Sequence, residues 1–357
     1  MFMLRVMRMI MNGRTCGAIF LAITALVGSC ETLPVRVVPG RDAITPSFVW
    51  PQPPERPRIR FVRVVARPQD LGIESSFWQR VWGVLVGKEE EWFVRPTSVA
   101  ANGQAIFVTD AGGQALWILN PQAGRFHKIQ EAGGQKLISP VSVARGPNNR
   151  IYLADSYLGK IFVYDREEKF LDTISHPDFR RPAGLAYDAV RDRLYVADSA
   201  AHRIWIFAAD GKPLGAIGQR GNGNGEFNFP THVAVDRAGR LYVTDALNFR
   251  LQMFNEDGSL SGLFGSHGDS SGDFASPKGV AVDSEGNIYV VDALFDAVQI
   301  FDRSGQYLLT LGERGLGPGQ FWLPGGIFID DRDQIYVADA YNQRIQIFQY
   351  LAGGGAK

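Results

Sequence analysis

Residues 286–301 read GNIYVVDALFDAVQIF, and residues 333–348 read DQIYVADAYNQRIQIF, 47 positions later. Both stretches place Ile-Tyr-Val-x-Asp first and a Gln-Ile-Phe run several residues later. The aspartate that ends the first run occurs six times, with spacings of 45, 43, 47, 47 and 47 residues, at Asp110, Asp155, Asp198, Asp245, Asp292 and Asp339. A proline precedes each aspartate by a near-constant distance: Pro96, Pro140, Pro182, Pro230, Pro277 and Pro324. A repeat of about 40–50 residues is typical of propeller blades or of a solenoid.

One repeat, residues 277–311, contains four strand-like segments. GVAVD is a short apolar strand, IYVVD is rich in β-branched and aromatic residues, VQIFD alternates apolar and polar residues, and YLLTL is a fourth strand. Two short turns with glycine, SEGN and RSG, and the loop ALFDA separate them, so each repeat predicts a four-stranded antiparallel meander. Six such units predict an all-β fold, a six-bladed β-propeller of four-stranded antiparallel blades.

The repeated motifs resemble a known family. Pro-x-Gly-Val-Ala-Val-Asp, then Gly-x-Ile-Tyr-Val-Ala-Asp, then Asn-x-Arg-Ile-Gln-Ile-Phe is similar to the NHL repeat, most closely at 230–254, 277–301 and 324–348. The linkers GQRGNGNGEFNFP (218–230) and GERGLGPGQFWLP (312–324) are similar to the glycine-rich linkers of that family. The tract WPQPPERPRIRFVRVV (50–65) resembles the lead-in of exported bacterial six-bladed propellers. The resemblance implies an exported propeller of the lipoprotein type.

The first 29 residues have the composition of an export signal. Residues 1–17 contain three arginines and no acidic residue, and AIFLAITALV (18–27) is an uninterrupted, largely apolar run. Such a run is too short to span a bilayer and has the length of a signal-peptide core. We therefore expect residues 1–29 to be a signal peptide that is removed on export.

The signal ends in Val27-Gly28-Ser29-Cys30, which resembles a bacterial lipobox. This resemblance implies cleavage before Cys30 and lipid attachment to it; the alternative is an ordinary secretory signal that contains a cysteine. Cys16 is the only other cysteine, so the exported chain would hold one thiol and no internal disulfide. A thioether-linked lipid would remove a free thiol from an oxidising compartment. We expect a membrane-anchored lipoprotein facing the periplasm, and Glu31 favours the outer membrane if the cell is Gram-negative.

Composition divides the exported chain into a tether, a folded body and a tail. Residues 30–57 contain seven of the nineteen prolines and predict an extended, semi-rigid tether. The body spans 58–350, and 351–357 is a flexible tail. Because the sixth repeat ends after its third strand at Phe348-Gln349-Tyr350, residues 58–65 are expected to supply the missing strand and close the ring.

Residues 76–86, SFWQRVWGVLV, have helical periodicity. A short helix here would plug one side of the ring, with the following residues on one stripe: Phe77, Trp78, Val81, Trp82 and Leu85. The alternative is that the two tryptophans face a membrane or a partner.

The six aspartates admit a metal-ring hypothesis, but a structural interpretation is favoured. A cation follows five residues after the aspartate in four repeats, and alanine stands there in the other two, at Ala115 and Ala297. An aspartate at the end of a strand can accept N–H bonds from the next turn and meet the cation that starts strand three. The predicted structural pairs are Asp155–Lys160, Asp198–Arg203, Asp245–Arg250 and Asp339–Arg344.

A binding site is expected where the repeat is broken. The second residue after each blade proline lies where the innermost strand meets the channel, and it is small in five repeats but His232 in the fourth. One residue before that position in the repeat, Lys278 likewise differs in type from the residues at the same position of the other repeats. Thr231, His232 and Lys278 therefore form a candidate site at the channel mouth; the alternative is a partly buried, hydrogen-bonded histidine.

Two functions remain open at this stage. The first is a lipid-anchored binding or scaffold protein that recognises a protein or glycan of the cell envelope through loops on one face. The second is a propeller-type enzyme, a lyase or a lactonase or other hydrolase, with a metal in the channel. No catalytic set stands out. Because only His232 of five histidines occupies a channel position, a three-histidine zinc site is not expected, whereas Ca²⁺ is less easily excluded because aspartate and asparagine abound.

Nucleic-acid and nucleotide binding are not expected. The full chain has a formal charge of zero, and removal of residues 1–29 leaves 34 basic and 37 acidic residues, a charge of −3. This balance gives no electrostatic basis for RNA binding. The glycines of the linkers lead into a proline and a strand, whereas a nucleotide loop needs a helix after it.

Overall fold

The structure is a computed structural model that describes residues 48–73 and 91–351. The predicted signal peptide, most of the predicted tether, the predicted helix at 76–86 and nearly all of the predicted tail lie outside the described residues. No helix in the described ranges is long and apolar enough to cross a membrane.

The described chain is a six-bladed β-propeller, as the repeats predict, and blades 1 to 5 are each a four-stranded antiparallel meander. Blade 1 consists of Pro96–Ala101, Ile106–Asp110, Ala115–Asn120 and Arg125–Ile129. Blade 2 consists of Pro140–Arg145, Ile151–Asp155, Lys160–Tyr164 and Phe170–Ile174. Blade 3 consists of Pro182–Asp188, Arg193–Asp198, Arg203–Ala208 and Pro213–Ile217. Blades 4 and 5 consist of Pro230–Val235, Leu241–Asp245, Arg250–Phe254 and Leu260–Phe264; and Pro277–Val282, Ile288–Asp292, Ala297–Phe301 and Tyr307–Leu311. The first strand of each blade is the inner strand, and the fourth is the outer strand.

Blade 6 is built from both ends of the described chain. Its first three strands are Ile327–Ile329, Gln334–Asp339 and Arg344–Tyr350, and its outer strand is Ile59–Val65, which runs antiparallel to Arg344–Tyr350. The closing strand predicted at 58–65 is therefore confirmed. Pairing with Ile59–Val65 covers the edge of Arg344–Tyr350 that the sixth repeat would otherwise leave open. Unpaired backbone groups on an open edge favour aggregation.

One part of the predicted tether belongs to the folded body. Val49–Trp50 forms a fifth strand on blade 6, paired with Ile59 and Arg60. The Trp50 ring packs edge-on against Phe348 at a centroid distance of 5.7 Å. The tether boundary at residue 57 is thus corrected, because this aromatic contact and the two-residue ladder hold the proline-rich segment against the blade.

Small elements complete the described secondary structure. Two short ladders lie in the segments between blades, Glu131–Ala132 with Gln135–Lys136 and, in parallel, Glu313–Arg314 with Gln320–Phe321. Single turns of 3₁₀-helix occur at Pro68–Leu71, Pro147–Asn149 and Ala246–Asn248.

The hydrophobic core lies between neighbouring blades. The second and third strands are covered on both faces, so strands such as Ile106–Asp110 and Ile288–Asp292 are buried at every residue. This explains why these strands read as continuous apolar runs rather than as alternating ones. Between blades 6 and 1 the fully buried Trp117 packs edge-on against Phe93 at 5.5 Å.

Candidate functional site

Each of the six repeated aspartates is fully buried at the end of the second strand of its blade. Asp110 accepts the backbone N–H groups of Val94 and Arg95 in the segment ahead of blade 1, at 2.9 and 2.8 Å. It also accepts the N–H of Gly113 in the loop that follows it, at 2.9 Å. The carboxylate therefore ties the incoming segment to the loop after the second strand, and Asp155, Asp198 and Asp292 make equivalent bonds on both sides.

The predicted cation partner meets its aspartate in two blades and not in the other two. Arg250 lies 2.8 Å from Asp245 and Arg344 lies 2.7 Å from Asp339. The expectation for Asp155–Lys160 and Asp198–Arg203 is corrected, because no ion pair joins them within the described residues. Lys160 instead donates to Oε1 of Gln135 at 2.9 Å, and Arg203 lies over the Trp205 ring at 5.1 Å.

Three buried glutamines were missed by the sequence reasoning. Gln346 accepts the N–H of Gly319 at 2.9 Å and donates to the carbonyl of Gln320 at 2.6 Å, which fixes the preceding linker. Gln252 and Gln299 do the same for their linkers. The signal was present: glutamine stands seven residues after the aspartate in blades 4 to 6, where blades 1 to 3 have an aromatic residue.

The inner strands approach one another closely at the ends that start with the blade prolines. Gly326 donates its N–H to the carbonyl of Thr97 at 2.9 Å, and Gly279 donates to Gly325 at 3.1 Å. A Cβ at Gly184 would lie 2.6 Å from the carbonyl oxygen of Thr231. Small residues are therefore required at these positions for a steric reason, and the channel is narrow at this end.

A cavity of about 420 Å³ occupies the channel. The ends of the inner strands and the loops after them form its wall on the opposite side from the prolines. There Arg145 donates to the carbonyl of Ala101 at 3.3 Å and to Asn149 at 2.6 Å. Burial lowers the pKa of Arg145, and the negative charge of Asp331 partly opposes this effect.

His232 is the one member of the predicted site that lines this cavity. Its Nδ1 atom is buried and has no hydrogen-bond partner in the described residues, and the same holds for Oγ1 of Thr231 beside it. Burial, and then the charge of Lys278, lower the pKa of His232 to about 3. The imidazole is thus neutral at pH 7 and presents one donor and one acceptor.

Lys278 lies on the inner strand of the next blade and is half-buried. Burial lowers its pKa, the charge of Asp292 raises it, and the charge of Arg181 lowers it further. The structure therefore brings Thr231, His232 and Lys278 to neighbouring strands, with the histidine lining the channel cavity and the lysine outside the cavity wall.

The other four histidines lie away from the channel cavity. His127 bonds to Glu168 at 3.0 Å, His176 packs on Trp205, His202 accepts the N–H of Phe229, and His267 packs on Phe249. No group of three histidine, cysteine, aspartate or glutamate side chains suited to a metal occurs within residues 48–73 and 91–351.

Loops from all six blades converge on one face of the ring. In blades 1 to 5 antiparallel pairing places the blade proline opposite its aspartate, as in Pro96 with Asp110, so the segments before the prolines and the loops after the aspartates share this face. We call it the upper face. Eight large apolar side chains are exposed here: Val94, Ile138, Tyr157, Leu247, Leu294, Leu316, Trp322 and Tyr341. Blade 3 interrupts the apolar set with Arg180 and Arg181, which are also exposed.

Comparison with known families supports the architecture. A family described as a 6-bladed beta-propeller matches residues 185–240 and 282–354. No curated protein matches the sequence.

Solved structures with the same fold come from proteins of different kinds. A protein of unknown function from Bacteroides thetaiotaomicron has a TM-score of 0.58 at 16% identity, covering 72% of this chain and 70% of that chain. An auxiliary nutrient binding protein from Bacteroides thetaiotaomicron has a TM-score of 0.57 at 12% identity, with 72% and 69% coverage. Virginiamycin B lyase from Staphylococcus aureus has a TM-score of 0.52 at 13% identity, with 72% and 96% coverage. At these identities the likeness concerns the fold alone.

Proposed function

We propose that this protein is a lipid-anchored binding protein of the cell envelope, and that it binds a protein partner on its upper face. The observation that carries the proposal is that the loops of that face hold eight of the fifteen exposed large apolar side chains in the described residues. Tyr157 is 75% exposed, Leu316 72% and Leu294 63%. Large apolar side chains clustered on one face mark interaction sites, whereas scattered ones do not.

The supporting loops are rigid enough to present these side chains in fixed positions. The buried aspartates hold the backbone on both sides of the apolar residues; Asp155, for example, accepts the N–H groups of Ile138 and Tyr157 themselves. A preorganised surface loses less conformational freedom when a partner binds, which favours affinity.

The composition of the face favours a protein over a glycan. Five of its eight exposed apolar side chains are aliphatic, and branched aliphatic groups pack against apolar side chains rather than against the hydroxylated faces of sugars. The aromatic pair Trp322 and Tyr341, with ring centroids 5.6 Å apart, has the character of an interface anchor. The names of two structural neighbours as nutrient binding proteins agree with a binding role in general.

Site-specific photo-crosslinking in intact cells tests the proposal. A photoreactive residue is placed at Tyr157 or Tyr341 on the upper face, and at Leu214 or Leu263 on outer strands as exposed apolar controls. We expect one partner protein to be crosslinked from both upper-face positions, and to be lost when Trp322→Ser and Leu294→Ser are introduced. Equal crosslinking of that protein from the control positions, or its retention in the double variant, would contradict the proposal.

Catalysis in the channel is the second candidate function, and His232 is the observation that favours it. The residue borders a cavity with an unpartnered Nδ1, and a lyase shares the fold. Its pKa of about 3 argues against a general base, because the efficient base has a pKa near the working pH. Metal analysis of purified protein separates the two functions: binding alone predicts no stoichiometric metal, and one tightly bound Ca²⁺ per chain would favour the enzyme.

A further inference from the structure

The closing strand carries arginines with no partner. Arg58, Arg60 and Arg63 are exposed, and their side chains make no hydrogen bond or ion pair in the described residues. The register with Arg344–Tyr350 shifts between Phe61 and Arg63, so that Arg60 lies opposite Gln349 and Arg63 opposite Ile347. The backbone of Arg58 bonds to Leu351 in continuation of the ladder. Since 347, 349 and 351 alternate on one face, the bulge places all three arginines on that face.

The neighbouring blade extends this positive surface. The outer strand of blade 1, Arg125–Ile129, contributes the half-buried Lys128, whose ammonium lies over Trp117 at 4.6 Å. Arg125 points to the opposite face of this strand, where it lies 3.8 Å from Glu168 of blade 2, and it is not part of this surface. We call the set Arg58, Arg60, Arg63 and Lys128 the basic wall.

Within the outer strands themselves, cations are confined to blades 6 and 1. The outer strands of blades 2 to 5 read FLDTI, PLGAI, LSGLF and YLLTL and contain no lysine or arginine, although Lys169 and Lys212 stand one residue before two of them, as Arg58 does before Ile59–Val65. A charge on an edge strand can have the sole role of preventing edge-to-edge pairing. Every outer strand has that need, so it does not explain why Arg60, Arg63 and Lys128 lie inside the strands of these two blades.

We propose that the basic wall lies against the anionic phosphate headgroups of a membrane and sets the orientation of the ring on it. The guanidinium group binds phosphate oxygens through two parallel N–H bonds, and alternate residues of a strand space such groups about 7 Å apart. The wall follows directly on the segment that leads to Cys30. This inference goes beyond the proposed binding function and does not depend on the identity of a partner.

A nucleic-acid ligand is disfavoured by the same surface. Single-stranded nucleic acid needs exposed aromatic rings for base stacking. The aromatic side chains of these two strands, Phe61 and Phe126, are instead partly buried against Phe348 and Trp117. The exposed side chains of Ile59–Val65 are arginines, which suits headgroups better than bases.

Vesicle sedimentation of the chain from residue 30 onward, without the predicted signal peptide, tests the proposal, with Cys30→Ser in every protein so that no acyl chain contributes. Each cation at an anionic surface strengthens binding about fivefold. We therefore expect the Arg58→Gln, Arg60→Gln, Arg63→Gln variant to bind vesicles of phosphatidylcholine and phosphatidylglycerol, mixed at about 7:3, roughly 100-fold more weakly than the unchanged chain does. Binding of the unchanged chain should fall steeply with added salt.

The matched control removes the same charge from the upper face, through Lys136→Gln, Arg180→Gln and Arg220→Gln, all at exposed positions. We expect it to bind the anionic vesicles within about threefold of the unchanged chain, because those cations would face away from the lipid. Equal loss in the two variants, no loss in the arginine variant, or tighter binding to single-stranded DNA than to the vesicles would overturn the proposal. Circular dichroism of each variant verifies that the ring is folded.

Discussion

Arg344 donates its Nε–H to Oδ2 of Asp339 across 2.7 Å, and both side chains are buried where the linker 312–323 meets blade 6. The other nitrogens of the same guanidinium donate to the carbonyls of Leu316 at 2.6 Å, Gly317 at 2.8 Å and Gln320 at 2.7 Å. A single side chain thus neutralises the buried carboxylate and fixes the glycine-rich linker.

Removal of this guanidinium should destabilise the protein strongly. We expect Arg344→Ala to lower the free energy of unfolding by about 3 kcal/mol, because Asp339 would remain buried without its charge partner. Arg203→Ala is the matched control, since Arg203 occupies the equivalent position without an ion pair, and it should cost under about 1 kcal/mol. Denaturant unfolding followed by fluorescence measures both, and equal losses would contradict this interpretation.

The close approach of the inner strands gives a second prediction. We expect Gly184→Ala to cost about 1–3 kcal/mol, because its Cβ would lie 2.6 Å from the carbonyl of Thr231 and 2.8 Å from Cα of His232, and backbone atoms cannot give way locally. Ala183→Ser, one residue earlier on the same strand, serves as the control and should change stability by under about 0.5 kcal/mol. An unaltered melting temperature for Gly184→Ala would show that the blades can separate without cost.

The lowered pKa of His232, a half-buried residue of the channel wall, predicts a pH dependence of stability. The pKa of His232 is about 3 in the folded protein, below the value of about 6.5 for an unfolded chain. Between these values the unfolded state binds the proton more tightly, so acid favours unfolding. The contribution of His232 is complete above pH 6.5 and is lost as the pH falls from 6.5 towards 3, by on the order of 2–4 kcal/mol in total.

His232→Gln isolates this effect from the carboxylates that titrate in the same range. The unchanged protein should lose stability relative to the variant as the pH is lowered from 7 to 4. The unfolding free energy of the unchanged protein minus that of the variant should therefore fall across this range. His127→Gln, at a surface site beside Glu168, should show no such trend. A constant difference across the pH range for His232→Gln would mean that the imidazole is accessible enough to be protonated in the folded state.

Lipid attachment at Cys30, which lies outside the described residues, is testable directly. We expect mass spectrometry of the protein purified from membranes to give an acylated N-terminal Cys30, and Cys30→Ser to move the protein from the membrane to the soluble fraction. Cys16→Ser, within the predicted signal, should leave the mature product unchanged. A mature N-terminus at any other residue would support an ordinary secretory signal.

The spacing of the repeated residues was sufficient to predict the six-bladed architecture. Strands such as Ile288–Asp292 and Ala297–Phe301 pair with their sequence neighbours through short turns, so each blade is a local structure that its own repeat encodes. The shortage of one strand after Tyr350 identified Ile59–Val65 as the closing strand for the same reason. The small residues beside the channel were also predictable in five of the six repeats, because neighbouring inner strands approach closely there, whereas His232 occupies this position in the fourth.

Which aspartate has an ion partner was decided by the tertiary structure. The sequence puts a cation five residues after Asp155, Asp198, Asp245 and Asp339 alike. This cation forms an ion pair with its aspartate only where the carbonyl groups of a linker also accept its hydrogen bonds. The segments ahead of blades 4 and 6 each have twelve residues between strand and proline and fold around Arg250 and Arg344. The segment ahead of blade 3 has seven, so Arg203 turns to Trp205 instead. Local pairing is written in each repeat, whereas the surroundings of a side chain depend on a segment from the preceding blade, which no single repeat specifies.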